Sequence, residues 1–253
     1  MGYLKEKYTK EYFLGSIDKT TNRIYGAGGF ESLKGGRLNK RYKWFLNHLH
    51  PKEKVVLDIG CGRGEVVNWC AKKGAKKVIG IDFSRDAIQI ATELNKNNSN
   101  VELFEMEAKN INFEIMFDIV FMFDVIEHIP DKEMQGVYHK IYSVLKNNGM
   151  LILSTPIYNS AEEKDSSDFI EATKGMHCNK QTKEKLVSDL VKHKFRQYSI
   201  NVWGRSDGFS ISAFLYANIL KFKEFSARQL NRVIHSVKIM YKFFNKFLKI
   251  KNE

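Results

Sequence analysis

The chain has little that would take it out of a reducing compartment or into a bilayer. Only three of its 253 residues are cysteine, namely Cys61, Cys70 and Cys178. They form no Cys-x-x-Cys pair and are odd in number, which argues against a disulfide framework or a cysteine zinc site. No uncharged run approaches the length of a membrane span, and Met1–Lys10 is charged where a signal peptide needs an apolar core. Gly2 is followed by Glu6 where a myristoylation signal needs Ser or Thr. A linker rich in proline or serine and an internal repeat are also missing. These absences imply a cytoplasmic chain with reduced thiols. Its length suits one large α/β domain with appended elements.

Two nucleotide signatures are absent as well. A Walker loop would need Gly-Lys-Ser/Thr, and a dinucleotide fingerprint would need glycine where Glu65 stands. What is present is the stretch VVLDIGCGRGEVVNW, Val55 to Trp69. Val55, Val56, Leu57 and Ile59 are β-branched or apolar and too few for a helix, so they read as a buried parallel strand. Gly60, Gly62 and Gly64 allow a tight turn that a ligand can approach, and Glu65–Lys72 resumes at helical period. A strand, a glycine turn and a helix start expose backbone N–H groups to whatever binds there.

The alternation continues beyond that corner. Lys77–Asp82 reads as a strand, and Ser84 caps a helix to about Asn95. Val101–Glu107 and Phe117–Val125 read as strands, and Lys132–Leu145 as a helix ended by Asn147-Asn148-Gly149. Met150–Thr155 is a further strand, stopped by Pro156. This order implies a doubly wound, mostly parallel sheet with right-handed crossovers. Ligands of such sheets bind beyond the carboxyl ends of the strands, where Asp58, Asp82, Glu107 and Asp124 all stand.

The pattern Asp58-x-Gly60-x-Gly62-x-Gly64, with Cys61 inside it, resembles the first motif of class I S-adenosylmethionine (AdoMet) methyltransferases. LFEMEAKNINF, FDIVFMFDVIEHIPD and LKNNGMLILSTP resemble that family's later motifs over roughly residues 50–200, in order. The resemblance implies a Rossmann-like seven-stranded α/β sheet, its last strand antiparallel, with helical additions at both ends. Phe195–Trp203 would be the sixth strand, and Ser210–Leu220 is either the seventh or a helix. It implies AdoMet as cofactor, held by Asp58, Gly60, Cys61, Gly62, Asp82, Phe83, Glu107, Ala108, Phe123 and Asp124. Asp82 would take the ribose hydroxyls and Phe83 would lie against adenine. Structural readings stand beside these, with Asp58 capping the turn and Asp82 capping its helix.

Asp124, Glu127 and His128 are spaced to share one face of a helix start. His128, and with it His177 in GMHCNKQTKEKL, are the candidate catalytic side chains. Glu127 and His128 could instead cap the helix or orient a loop. No metal is expected. The alternative is a divalent ion on Asp124, Glu127 and His128, as similar acid-x-x-Glu-His sets hold in some quinone-pathway relatives. Tyr8 and Tyr12, in YTKEYFLGS, resemble a lid over the cofactor. Arg23, Tyr25 and Arg37 could line the acceptor side. Thr182 would cap the last crossover helix.

The formal charge is +12, with net +6 over residues 1–50, −1 over 51–208 and +7 over 209–253. Basic flanks on a neutral core suit an anionic acceptor, nucleic acid or lipid, or are simply a solvated surface. The apolar stripe Leu230, Val233, Ile234, Val237, Tyr241, Phe244 and Leu248 has helical period and docks on the body, a second subunit or an anionic membrane. The domain division expected is a lid at 1–50, an AdoMet-binding core at 51–208 and a strand and basic helix at 209–253. The acceptor expected is a small, anionic, phosphorylated or sugar-related metabolite. Resemblance extends to the O-methyltransferase type of capsule phosphoramidate biosynthesis. Quinone or lipid O-methylation, RNA methylation and a non-catalytic AdoMet-binding subunit are the alternatives. No recognisable RNA module supports nucleic acid, membrane contact is not the favoured use of the flanks, and the chain is read as a monomer or homodimer.

Overall fold

The computed structural model describes residues 5–14, 16–17, 24–25, 42, 46–47, 49–158, 175–195, 197–203 and 211–218. A short helix α1 (Lys10–Leu14) precedes a two-strand pair, β1 (Ser16–Ile17) and β2 (Ile24–Tyr25). The main sheet then alternates β3 (Val55–Ile59), α2 (Glu65–Lys72), β4 (Lys77–Asp82), α3 (Arg85–Asn95) and β5 (Val101–Glu105). It continues with β6 (Phe117–Phe123), α4 (Asp131–Val144), β7 (Leu145–Ile157), α5 (Lys183–Lys192), β8 (Gln197–Trp203) and β9 (Ile211–Asn218).

The spatial order is β5-β4-β3-β6-β7-β9-β8, a seven-stranded sheet. Strands β5, β4, β3, β6 and β7 pair in parallel, and β9 runs antiparallel to both β7 and β8. The antiparallel strand is thus the last in sequence, and residues 211–218 are strand rather than helix. The chain winds outward from β3 to β5 and returns to β6, so the switch of direction lies between β3 and β6. Ligands of such sheets bind at the carboxyl ends there.

Both faces of β3, β4 and β6 are covered, which explains why they read as nearly unbroken apolar runs. Leu57, Ile59, Ile79, Ile81, Val120 and Met122 pack against Val137, Tyr138 and Ile141 of α4 and Leu186 and Leu190 of α5. Val56, Val78, Ile119 and Phe121, one residue out of phase, pack against Val66, Val67 and Cys70 of α2. The helix starts follow their caps. Ser84 Oγ accepts from Ala87 N, and Thr182 Oγ1 accepts from Lys185 N.

Two expectations are corrected. Helix α4 passes directly into β7 at Leu145, so Asn147-Asn148-Gly149 lies within the strand instead of ending a helix. Asn148 takes φ +67, and the pairing of β6 with β7 shifts register nearby. Second, Ile126–His128 is a single 3-10 turn and no helix start. The strand β9, just beyond 208/209, is hydrogen-bonded between β7 and β8, and one compact unit runs from Met1 to Leu220. Among the described residues no helix is long and apolar enough to cross a membrane. The stripe from Leu230 to Leu248 lies outside the described residues.

Candidate active site

The glycine turn gives each glycine a different task. Gly60 has φ +67, and a Cβ there would meet Val125 Cγ2 at 2.4 Å; Gly64 has φ +81, and its Cβ would meet Ala91 Cβ at 2.9 Å. These two are packing glycines. Gly62 has φ +52, and among the described residues its Cβ would meet only Phe13, at 3.8 Å. Its open side is the one that a ligand can approach.

Asp82 closes β4 beside this turn. Oδ2 accepts from Gly62 N at 3.0 Å and Oδ1 from Ser84 N at 2.9 Å. A carboxylate has about four acceptor positions, so two amides leave room for two hydroxyl hydrogens. Burial pushes Asp82 up to about 6, partly offset by the two backbone N–H groups. Asp58 is buried, its Oδ2 has no hydrogen-bond partner among the described residues, and burial with the nearby Asp82 raises it well above the usual range. A buried acceptor of this kind calls for a donor. Cys61 is buried and its thiol is pushed up by burial and by Asp82 and Asp58, which suits a small turn residue and not a nucleophile.

The N-terminal segment is fastened over this corner. Ser84 Oγ donates to Tyr8 O at 2.8 Å, Lys10 N donates to Asp86 Oδ2 at 2.7 Å, and Arg63 Nη1 donates to Phe13 O at 3.3 Å. Arg63 also pairs with Glu65, and Lys5 with Glu107. Glu107 holds Lys109 as well, at 2.9 Å. A row of rings leads away from the turn: Phe83 to Tyr8 at 4.9 Å, Tyr8 to His128 at 5.5 Å, His128 to His177 at 4.9 Å. Tyr12 joins the row at Tyr8, at 5.1 Å. Tyr8 is buried and its hydroxyl has no partner among the described residues. Burial and the neighbouring Tyr12, Glu127, Cys178 and Asp82 all raise its pKa.

At the end of β6 the expected trio separates. Asp124 takes φ +53. Its carboxylate accepts from Ser154 Oγ at 2.7 Å and from Tyr42 Oη, whose ring stacks on Phe123 at 4.8 Å. Glu127 instead points inward, accepting from Thr155 Oγ1 at 3.1 Å. Ligand atoms of Glu127, His128 and His177 all lie within 4.8 Å of one another. His177 therefore stands where the sequence reading had placed Asp124. His128 Nδ1 is 3.0 Å from Met176 O, which as a carbonyl can only accept, and Tyr158 Oη is 3.3 Å from His177 Nδ1. Ala108 lies in a 3-10 turn that follows Glu107. Arg23 and Arg37 lie outside the described residues, as does the side chain of Tyr25. Arg63, Tyr42, Thr155 and Tyr158 were not singled out from sequence. Only Arg63, between two turn glycines, carried a local signal.

Residues 56–149 match the family described as the methyltransferase domain. Over these residues, and in its fold, the chain is similar to methyltransferase domains. It is 32% identical over 149 residues to phosphoethanolamine N-methyltransferase 1 of Zea mays, covering 58% of this chain and 28% of that protein. It is 32% identical over 118 residues to ubiquinone biosynthesis O-methyltransferase of an Azoarcus species, covering 46% and 49%. The chain thus spans half or less of these curated relatives. Among solved structures it resembles the 1,6-didemethyltoxoflavin-N1-methyltransferase of Burkholderia thailandensis, with TM-score 0.58, 16% identity and coverage of 71% and 77%. That structure carries bound S-adenosylhomocysteine.

The residues fit AdoMet, the cofactor that the sequence resemblance implies. Asp82 has acceptor positions for two ribose hydroxyls, Gly62 gives an open approach, and the lone buried oxygen of Asp58 awaits a donor.

Proposed function

We propose that the chain is an AdoMet-dependent O-methyltransferase that methylates a neutral hydroxyl of a small polar, sugar-related metabolite. The supporting observation is the pair of imidazoles, His128 and His177, beside the buried carboxylate of Glu127, linked through Tyr8 to the Asp82 corner. A neutral alcohol has a pKa far above 7, so its proton must pass to a base as the oxygen attacks. AdoMet supplies an electrophilic methyl group on a sulfonium. The protein's part is to place the acceptor oxygen in line, exclude water and take that proton. The N-terminal strap serves the exclusion, being tied at Tyr8, Lys10 and Phe13 to the corner.

The acids of the rim also support a neutral acceptor. Asp82 and Asp124 stand there, while Lys5 and Arg63 are each paired with an acid, so these groups offer an anionic acceptor little countercharge. A phosphorylated acceptor, such as one of the capsule phosphoramidate type, is the second reading. The basic flanks, net +6 and +7, favour it. The test incubates the full chain with methyl-labelled AdoMet and separate pools of sugars, quinols, phosphorylated metabolites and tRNA. Label in an O-methyl sugar supports the proposal. Label confined to a phosphate or phosphoramidate oxygen, to quinol or to RNA would sink it.

A further inference from the structure

Two imidazoles stand at the acceptor end, and the structure treats them differently. His128 comes from the 3-10 turn after β6, and its Nδ1 meets the carbonyl of Met176 at 3.0 Å. That contact makes Nδ1 the protonated nitrogen of the neutral ring and fixes its orientation against an uncharged acceptor. His177 comes from the segment that leads into α5, and that segment is built on Glu127. Cys178 N and Asn179 N both donate to Glu127 O, at 2.8 and 3.1 Å. Tyr158 N donates to Gln181 O at 2.9 Å, which fastens the far end of the segment to the end of β7. Backbone and side chain of one residue therefore place this imidazole.

The Glu127 carboxylate is 2% exposed. Burial and Asp124 raise it to about 8, while His177, its own backbone N–H and Thr155 draw it down. The groups around it are Asp124, His128, His177, Thr155, Cys178 and the hydroxyls of Tyr8 and Tyr12. Asp124 is engaged by Ser154 and Tyr42, and the phenols are kept protonated by burial. Where Glu127 is ionised, toward and above pH 8, an imidazole beside it gains a proton more readily than one that donates to a carbonyl, because the imidazolium charge is offset at short range. The contrast parallels the carboxylate that orients and supports the histidine of a hydrolase triad.

We propose that His177 is the base for the acceptor hydroxyl and that Glu127 is its positioning residue, with His128 steering the acceptor. This rests on the O-methylation reading above. In the step, the acceptor oxygen forms its bond to the methyl carbon as the carbon–sulfur bond breaks, and that electron pair stays on sulfur. The hydroxyl proton passes to His177, whose charge Glu127 balances, and leaves to solvent after product release.

The test is ring NMR of 13C-labelled histidine in the full chain with S-adenosylhomocysteine bound, using His177→Asn and His128→Asn to assign the signals. In Glu127→Gln the His177 resonance should titrate about one pH unit or more lower than in wild type, while His128 moves little. Glu127→Asp should restore part of the shift. An unchanged His177, or a larger shift at His128, overturns the proposal. So does micromolar binding of zinc or magnesium that His177→Asn abolishes, because the cluster would then be a metal centre. These readouts need no acceptor, so they stand even if the O-methylation reading fails. With an acceptor in hand, Glu127→Gln should lower kcat about 10²-fold at constant KM, with cofactor affinity retained. The rising limb of its pH profile should move to lower pH. A change in KM alone would overturn the assignment.

Discussion

Replacing Asp82 by asparagine tests the cofactor corner most directly. The carboxylate takes one backbone N–H on each oxygen, from Gly62 at 3.0 Å and Ser84 at 2.9 Å. Each oxygen retains a lone pair for one ribose hydroxyl. Asparagine keeps one acceptor oxygen and turns an NH₂ group toward an N–H that has nothing to bond. Loss of the charge-assisted pair should weaken S-adenosylhomocysteine by about 1–3 kcal/mol, or roughly 5- to 150-fold in Kd.

The pH dependence sharpens this expectation. Burial lifts Asp82 from 3.8 to about 6, so the folded, ligand-free protein holds a proton that the unfolded chain releases. The ionised carboxylate therefore weakens the empty fold. That cost is absent below about 3.8, grows between about 4 and 6, and stands in full above 6 at about 3 kcal/mol. Binding has the opposite sense, because the hydroxyls need the ionised form. Wild-type affinity should be flat above pH 7 and fall about tenfold between pH 6 and 5, while Asp82→Asn should be weak and level throughout. Calorimetric titration at pH 5 to 8, with melting curves to show that the variant folds, measures both effects. A folded Asp82→Asn with wild-type affinity and pH profile would refute the ribose assignment.

Three further outcomes are expected. Gly60→Ala should cost about 3 kcal/mol in urea unfolding, from a strained φ of +67 and a 2.4 Å approach to Val125, whereas Gly62→Ala should cost about 1 kcal/mol; equal costs would show that the two turn positions do not differ. Dialysis against a chelator should leave methyl transfer intact, because the Asp124 carboxylate is engaged by Ser154 and Tyr42; activity lost and then restored by magnesium would reverse that. His128→Asn should raise KM several-fold and lower kcat by less than tenfold in steady-state assays, as expected of a residue that steers the acceptor; a thousandfold fall in kcat at unchanged KM would make His128 the base.

The sheet was legible because its causes are local. A parallel strand covered on both faces is near-continuously apolar, and VVLDI and FDIVFMF are so but for one aspartate each. Ser84 and Thr182 each sit three residues before the amide that they cap, so the starts of α3 and α5 could be placed from sequence. A boundary at 208/209 follows the charge, whereas β9, just beyond it, is held by hydrogen bonds to β7 and β8 that charge does not report. The set that gathers at the end of β6 is Glu127, His128 and His177 instead of Asp124, Glu127 and His128. Spacing of i, i+3, i+4 brings side chains together only on a helix. At φ +53 Asp124 stands outside the turn that holds the other two, and its carboxylate goes to Ser154 and Tyr42. Its replacement, His177, is brought to Glu127 by backbone bonds from Cys178 and Asn179. Such bonds leave no residue-type signature in a sequence.

The acids that crowd the crevice have separate fates, and these fates divide the site. Glu107 is neutralised by Lys5 and Lys109, and so serves the N-terminal strap. Asp124 is held between β7 and Tyr42, which stacks on Phe123. Asp82 is bonded by the turn that it supports, and Asp58 keeps a buried oxygen without a partner among the described residues. Glu127 lies beneath both imidazoles. Cofactor and acceptor ends are joined by Tyr8, whose ring touches both Phe83 and His128 and whose carbonyl is held by the helix-capping Ser84. If AdoMet binds at this corner as proposed, its contacts bear on the placement of Tyr8, and through that ring on the imidazoles. The strap then serves both halves of the proposed site, so cofactor binding should help to exclude water from the acceptor.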